Sequence, residues 1–362
     1  MSEVGIRKDE LDTPALWVDL DKMEENIVSL AVHFRDAGVA WRPHTKGIKV
    51  PAIAHKAIAA GAIGVTCAKL GEAEVMAAAG VSDILVANQV VGERKISRLV
   101  NLCRHINVMV AVDNPANVAQ IGRLACERGV EAGVLVELNT GMERAGVAPG
   151  EAAVALSRLA AETPGVRYDG LMAWEGHTSL IEDEQEKERT IRQCVGLLID
   201  TAAQCREAGL AVRIVSGGGS GTYKVTPFVN GMTEIQAGGA IFCDPAYQKR
   251  HVKTEPSLFV RATVTSRPVP ERIIFDVGFK SLPTWYGDPV PIGLPPVASI
   301  GMSAEHGKVI LAAPDTTVRV GDGFDFEVGY TDVTLFLHDT LYGVRDGVVE
   351  VEWAIEGRGK LQ

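Results

Sequence analysis

Along the first two thirds of the chain, short apolar runs alternate with longer segments whose apolar residues recur every three or four positions. The short runs Val39–Pro43, Gly64–Ala68, Asp83–Ala87, Asn107–Val112, Gly133–Leu138, Val166–Trp174, Val212–Ser216 and Thr233–Ala237 predict strands. They are too evenly apolar for strands with one wet face, which predicts a sheet covered on both sides. The longer segments predict amphipathic helices. Asp21–Arg35 opens on Asp19 or Asp21 as N-cap and carries Ile27, Leu30 and Ala31 at helical spacing. Gly71–Ala79 and Glu93–Cys103 follow the same pattern. Glu182–Ala208 is the longest, with Ile191, Val195, Leu198, Ala202 and Cys205 on one face. Strand–helix alternation implies parallel pairing through right-handed crossovers. Eight such units predict an α/β fold, a (β/α)8 TIM barrel over residues 21–250. A doubly wound sheet is the alternative, but the first turn reads His44-Thr45-Lys46-Gly47 and not a glycine-rich fingerprint.

After residue 250 the rhythm changes. Ser257–Ser266, Arg272–Val277, Lys308–Leu311, Phe324–Val328, Thr340–Val344 and Val348–Trp353 predict strands separated by Gly, Pro and Asp turns, with no helix of convincing length. This predicts a C-terminal all-β domain, residues 251–362. Leu16–Leu20 is a further strand that either domain could take, so the β-domain stands with or without residues 1–20.

The chain has 362 residues, 46% hydrophobic and 23% charged, an ordinary globular composition that excludes disorder as a description of the whole. A net charge of −10 without any Lys/Arg cluster excludes nucleic acid as partner. The longest apolar stretches fall well short of the roughly 20 residues of a membrane span. The opening MSEVGIRKDELD is too polar for a secretion signal. Six scattered cysteines without a CxxC pair read as buried thiols of a cytoplasmic protein, with neither a disulfide framework nor a zinc knuckle.

In a barrel, chemistry sits where strands end. His44 and Lys46 follow the first strand, Arg144 the fifth, and Glu175 and His177 the sixth. The run Ser216-Gly217-Gly218-Gly219-Ser220-Gly221-Thr222 follows the seventh, and Gly238-Gly239 the eighth. Consecutive glycines let backbone N–H groups converge on an anion, and barrels commonly place phosphate after strands seven and eight. A lysine at the mouth is placed to be desolvated and to form an imine; the alternatives are a surface lysine or a phosphate partner. A phosphate cradle and a mouth lysine together point to a phosphorylated aldehyde cofactor, and pyridoxal phosphate (PLP) fits.

Here the sequence resembles a known family. Arg42-Pro43-His44-Thr45-Lys46-Gly47-Ile48-Lys49 is similar to the RPHxKxxK signature of fold-type III PLP enzymes, in particular the group of D-threonine aldolase, D-serine dehydratase and 3-hydroxy-D-aspartate aldolase. Cys67–Ala73, Ile84–Gly92, Glu137–Val147, Ser216–Tyr223, Thr233–Asp244, Asp276–Ser281, Glu305-His306-Gly307 and Leu337-His338-Asp339 resemble further segments of that family in the same order. The resemblance implies an alanine-racemase-like barrel with a C-terminal β-domain, assembled as a homodimer. It implies that Lys46 holds PLP and that Arg144 bonds its phenolic oxygen. It places Gln236 opposite the pyridine nitrogen and His44 and Trp174 beside the cofactor, and gives the phosphate to Gly218, Gly219, Ser220, Gly238 and Gly239.

The implied activity is that of a PLP lyase acting on a small molecule, a D-configured 3-hydroxy-amino acid, most simply by aldol cleavage to glycine and an aldehyde. His177, Glu175 and Asp332 are the groups available for acid–base work. Dehydration of D-serine or a related 3-hydroxy-amino acid is an alternative. Racemisation is another, with Lys46 and Tyr330 as two opposed bases. A non-catalytic PLP carrier is the third, and the all-β domain argues against it. Metal-dependent members carry a His-x-Asp or His-x-Cys pair before LHD; this chain has Tyr330-Thr331-Asp332. A phenol is a poor ligand for Mn²⁺ or Zn²⁺ at neutral pH. Asp332 is then the one metal candidate left at this motif, a divalent metal stays open, and weak or absent metal dependence is expected.

Overall fold

The computed structural model describes residues 2–362. By its internal packing the chain divides into two units. One consists of residues 30–46, 53–238 and 359–362; the other of residues up to 29, 47–52 and 239–358.

The first unit is built on an eight-stranded parallel sheet. In chain order its strands are Ala40–Trp41, Val65–Cys67, Asp83–Gln89, Asn107–Val112, Ala132–Leu138, Val166–Ala173, Ile214–Gly217 and Glu234–Ile235. The eighth strand pairs with the first and with the seventh, and the ladder then runs in order down to the second. The first and second strands meet through a parallel bridge between His44 and Thr66, with Thr66 N–H donating to the Pro43 carbonyl at 2.9 Å. The ring thus closes on a thin seam, as expected of a barrel. All seven positions of Ala132–Leu138 are buried, the signature of a strand covered on both faces.

The eight predicted strands are all present, but the first and last are only two residues long. Backbone bonds to the eighth strand nevertheless run on past Trp41, from Arg42 N–H to the Ile235 carbonyl at 2.9 Å and from His44 N–H to the Gln236 carbonyl at 3.1 Å. Helices occupy the crossovers, including three that the apolar pattern alone did not single out: Pro51–Ala59, Pro115–Glu127 and Glu151–Glu162. Pro115 stands in the first turn, where its missing N–H costs nothing, and Asn114 caps the helix by accepting from Ala116 N–H at 2.9 Å. The long helix Glu184–Glu207 starts on Asp183, which accepts from Glu186 N–H at 2.7 Å.

The second unit carries a nine-stranded, mainly antiparallel sheet. Ala15–Asp19 lies inside it, antiparallel to Leu258–Val269 and parallel to Thr340–Arg345, which settles where the N-terminal strand belongs. Asp19, not Asp21, caps the following helix, accepting from Lys22 N–H at 3.2 Å. Trp17 stacks on Phe259 with ring centroids 4.5 Å apart, in a cluster with Leu11, Ala15, Val344 and Val349. Two strands escaped the sequence pattern, Val290–Ile292 and Val297–Met302. Neither contains a buried residue, so neither carries the alternation that marks a half-covered strand.

The cysteines form no disulfide; Cys67, Cys194, Cys205 and Cys243 are buried, Cys103 is half-buried, and Cys126 is exposed, contrary to the expectation that all are buried. Cys126 sits near the end of its helix, on the side turned to water. Among the described residues no helix is long and apolar enough to cross a membrane.

Leu135 is fully buried and packs with Leu85, Met109, Ala111 and Met172 in the barrel unit. Leu135→Ala leaves a cavity there and should lower unfolding stability by about 2–5 kcal/mol, read by chemical denaturation.

Candidate active site

In the barrel unit the candidate residues gather where the strands end. Lys46 lies in the short turn Thr45–Gly47 after the first strand, its backbone N–H donating to His44 Nδ1 at 3.3 Å. Its Nζ stands 5.5 Å from the centre of the Trp174 ring, just past the sixth strand. The guanidinium of Arg144 sits 5.0 Å from the same ring. One indole therefore serves two cations, each attracted by the negative face of the ring system. Arg144 is half exposed and reaches Glu137 at 3.5 Å, while Gln89 Nε2 donates to the other Glu137 oxygen at 2.6 Å. Burial pushes the Glu137 carboxyl up, and these two donors partly offset it.

The glycine run is a turn clasped from beneath. Gly219 N–H donates to Thr222 Oγ1 at 3.1 Å, and Thr222 N–H returns to the Gly219 carbonyl at 3.0 Å. Thr222 Oγ1 donates to Glu175 Oε1 at 2.7 Å, and Thr226 Oγ1 donates to the same oxygen at 2.5 Å. Glu175 is thus a buried carboxylate held by two hydroxyls, which ties the loop after the sixth strand to the loop after the seventh. Gly218 has φ +71°, a conformation that a side chain disfavours. A Cβ on Gly219 would lie 3.0 Å from Trp174 Nε1, and one on Gly238 only 2.1 Å from the His44 carbonyl oxygen. Backbone without a side chain is required at Gly238, where the His44 carbonyl fills the space, and at Gly219 a side chain would crowd the Trp174 indole.

His177 lies in the turn Gly176–Leu180. Its Nε2 is 3.6 Å from the Cys194 sulfur, and its Nδ1 is buried without a hydrogen-bond partner. Burial, then the nearby Glu175 charge, push the Cys194 thiol up, so it stays protonated. Leu180, at the end of that turn, is exposed. Gln236 points its Nε2 at Ser216 Oγ, 2.9 Å away. The hydroxyls of Thr222 and Thr226 and the thiol of Cys194 were not singled out from the sequence; nothing in their spacing marks them, because their partners are distant along the chain.

Tyr330 and Asp332 belong to the second unit. Tyr330 Oη donates to Asp332 Oδ2 at 2.9 Å, and burial together with that carboxylate raises the phenol far above its ordinary range. Gly239, in the same unit, lies so close to the Tyr247 ring that a Cβ would come within 2.3 Å of it. Asp244 accepts from Thr331 N–H at 2.6 Å and from Tyr247 N–H at 3.0 Å. Among the described residues no three His, Cys, Asp or Glu side chains come together as a metal would require. A phenol already committed to a single carboxylate does not fit a tightly held transition metal. The amine of Lys46, the flat wall of Trp174 and a pre-formed turn of bare backbone do fit PLP.

A family model for the N-terminal domain of alanine racemase matches residues 18–245, and one for a putative serine dehydratase domain matches residues 257–344. The chain is 36% identical to a D-threonine aldolase of Arthrobacter sp. over 353 residues, 96% of this chain and 93% of that one. It is 31% identical to a 3-hydroxy-D-aspartate aldolase of Paracoccus denitrificans over 367 residues, 98% and 94% of the two chains. A solved structure of D-threonine aldolase from Filomicrobium marinum superposes with a TM-score of 0.96 at 34% identity, covering all of both chains.

Two outcomes follow from these environments. Glu175→Ala removes the acceptor of two buried hydroxyls; it should cost about 1–3 kcal/mol of stability for each hydroxyl left unsatisfied and loosen PLP binding, measured by denaturation and by titration. Burial raises the Asp244 carboxyl from an ordinary 3.8 to about 6. Between those values the folded protein binds more protons than the unfolded chain, so stability falls as pH rises through the window. Asp244→Asn should flatten that part of the stability–pH profile.

Proposed function

Since the chain belongs to the alanine racemase N-terminal domain family, and is a PLP-dependent enzyme of fold type III, we propose that it cleaves a D-configured 3-hydroxy-amino acid into glycine and an aldehyde. The observation that carries this reading is the end-to-end likeness to D-threonine aldolases in sequence and in fold. The substrate is a small amino acid, and a D-threonine-like side chain is the form we assign to it.

PLP, when bound, supplies an electron sink for the pair released as the substrate Cα–Cβ bond breaks. The chain's own residues do the rest. Lys46 supplies the amine that holds the cofactor. The backbone at Gly218 and Ser220, with Gly238, binds the phosphate, while the Gly219 N–H stays with Thr222 in the clasp on Glu175 that keeps that turn in shape. Trp174 walls the site beside Lys46 and Arg144, the latter of which we assign to the phenolic oxygen. Cleavage requires a base for the proton of the 3-hydroxyl. We assign that role to His177, carried on the turn Gly176–Leu180 after the sixth strand. Racemisation would ask Tyr330 to act as a base. Its phenol is held protonated against Asp332, which favours the lyase over that alternative.

Purified protein reduced with borohydride should yield pyridoxyl label on Lys46; label on Lys49 or Lys69 overturns its role. D-Threonine should give glycine and acetaldehyde, whereas a keto acid would mark a dehydratase and L-allo-threonine, the product of inversion at Cα alone, a racemase or epimerase. His177→Ala should abolish turnover, and exhaustive chelation should leave most of it. Full loss with chelator, restored by Mn²⁺ or Zn²⁺, would show that a metal takes part after all.

A further inference from the structure

Behind Gln236 runs a chain of buried hydrogen bonds that neither the glycine turn nor Lys46 uses. Gln236 Nε2 donates to Ser216 Oγ at 2.9 Å, and Ser216 Oγ donates to Glu234 Oε1 at 2.7 Å. The two Glu234 oxygens accept from Arg42 Nε at 3.2 and 3.1 Å. Arg42 Nη1 donates onward to Asp83 Oδ1 at 2.5 Å. Arg42, Glu234, Ser216 and Gln236 are all buried.

We propose that Arg42, Glu234 and Ser216 are positioning residues that act through Gln236, locking its amide in one orientation and so fixing which group it offers to the pyridine nitrogen of the bound cofactor. The inference rests on the reading that Gln236 faces that nitrogen. Its logic is a count of protons. A carboxylate only accepts, so the single hydroxyl hydrogen of Ser216 is committed to Glu234. The Ser216 oxygen can then only accept, which requires Nε2 of Gln236, not Oε1, on this side. A flipped amide would set two oxygens against each other at the same 2.9 Å. Arg42 Nε donates to both Glu234 oxygens, which leaves Glu234 as the acceptor for Ser216 and thereby keeps the direction of the whole chain. An isolated glutamine could turn either way; this one cannot, and the ring nitrogen meets a fixed hydrogen-bonding group.

The test uses the full-length holoenzyme reconstituted with PLP labelled with ¹⁵N in the ring. It reads the ring-nitrogen chemical shift and the PLP dissociation constant for the wild type, Gln236→Leu, Ser216→Ala and Glu234→Gln. Gln236→Leu should move the resonance. Ser216→Ala should move it as well and weaken PLP binding roughly three- to tenfold, the usual range for one hydrogen bond. Glu234→Gln keeps the shape but frees the Ser216 hydrogen; it should also move the resonance, and it carries the test if Ser216→Ala fails to fold. A shift in Gln236→Leu with none in Ser216→Ala or Glu234→Gln overturns the relay while the reading of Gln236 stands. No shift in Gln236→Leu overturns that reading, and the relay with it.

Discussion

The guanidinium of Arg42 is sealed inside the barrel, and a buried charge is tolerable only when it is paired and hydrogen-bonded. Burial works against its proton, and the carboxylates of Glu234 and Asp83 more than compensate. These partners come from opposite sides of the seam. Glu234 opens the eighth strand and Asp83 opens the third, whereas the backbone between first and second strands is joined by little more than the His44–Thr66 bridge. A side chain thus supplies what the ladder lacks where the ring closes. Everything at the strand ends, from the lysine turn to the glycine turn, is placed by strands that this ion pair helps to hold in register.

Much of this was legible in the residue pattern, for identifiable reasons. Strands covered on both faces are apolar at nearly every position, so Asn107–Val112 stands out with its true limits. Exposed strands such as Val290–Ile292 carry no such mark. Lys46 and the glycine run could be located because a barrel puts function at strand ends and because an anion turn demands glycine. Position also found Glu175 and His177, but could not say what each one touches. The clasp on Glu175 and the thiol beside His177 join residues 17 to 51 positions apart, and no local spacing encodes such pairs. Arg42 and Glu234 were visible as members of recognisable segments, while their meeting inside the barrel is a property of the folded chain alone.

The acidic groups show how environment divides labour among chemically similar side chains. Glu175 is surrounded by hydroxyl donors and serves as an anchor. Glu137 is shared between an amide and a guanidinium at the fifth strand. Asp332 binds a phenol and Asp244 binds backbone N–H groups. Four carboxylates therefore have four distinct partner sets, and each set fixes what its residue can do.

The clasp beneath the glycine turn has a consequence for the order of assembly. Its hydrogen bonds run entirely between protein atoms, from Gly219 through Thr222 to Glu175. The loop acquires its shape as the chain folds, and a later-arriving anion finds it already made. Little conformational entropy is left to lose when the anion settles, so its affinity is set by direct contacts.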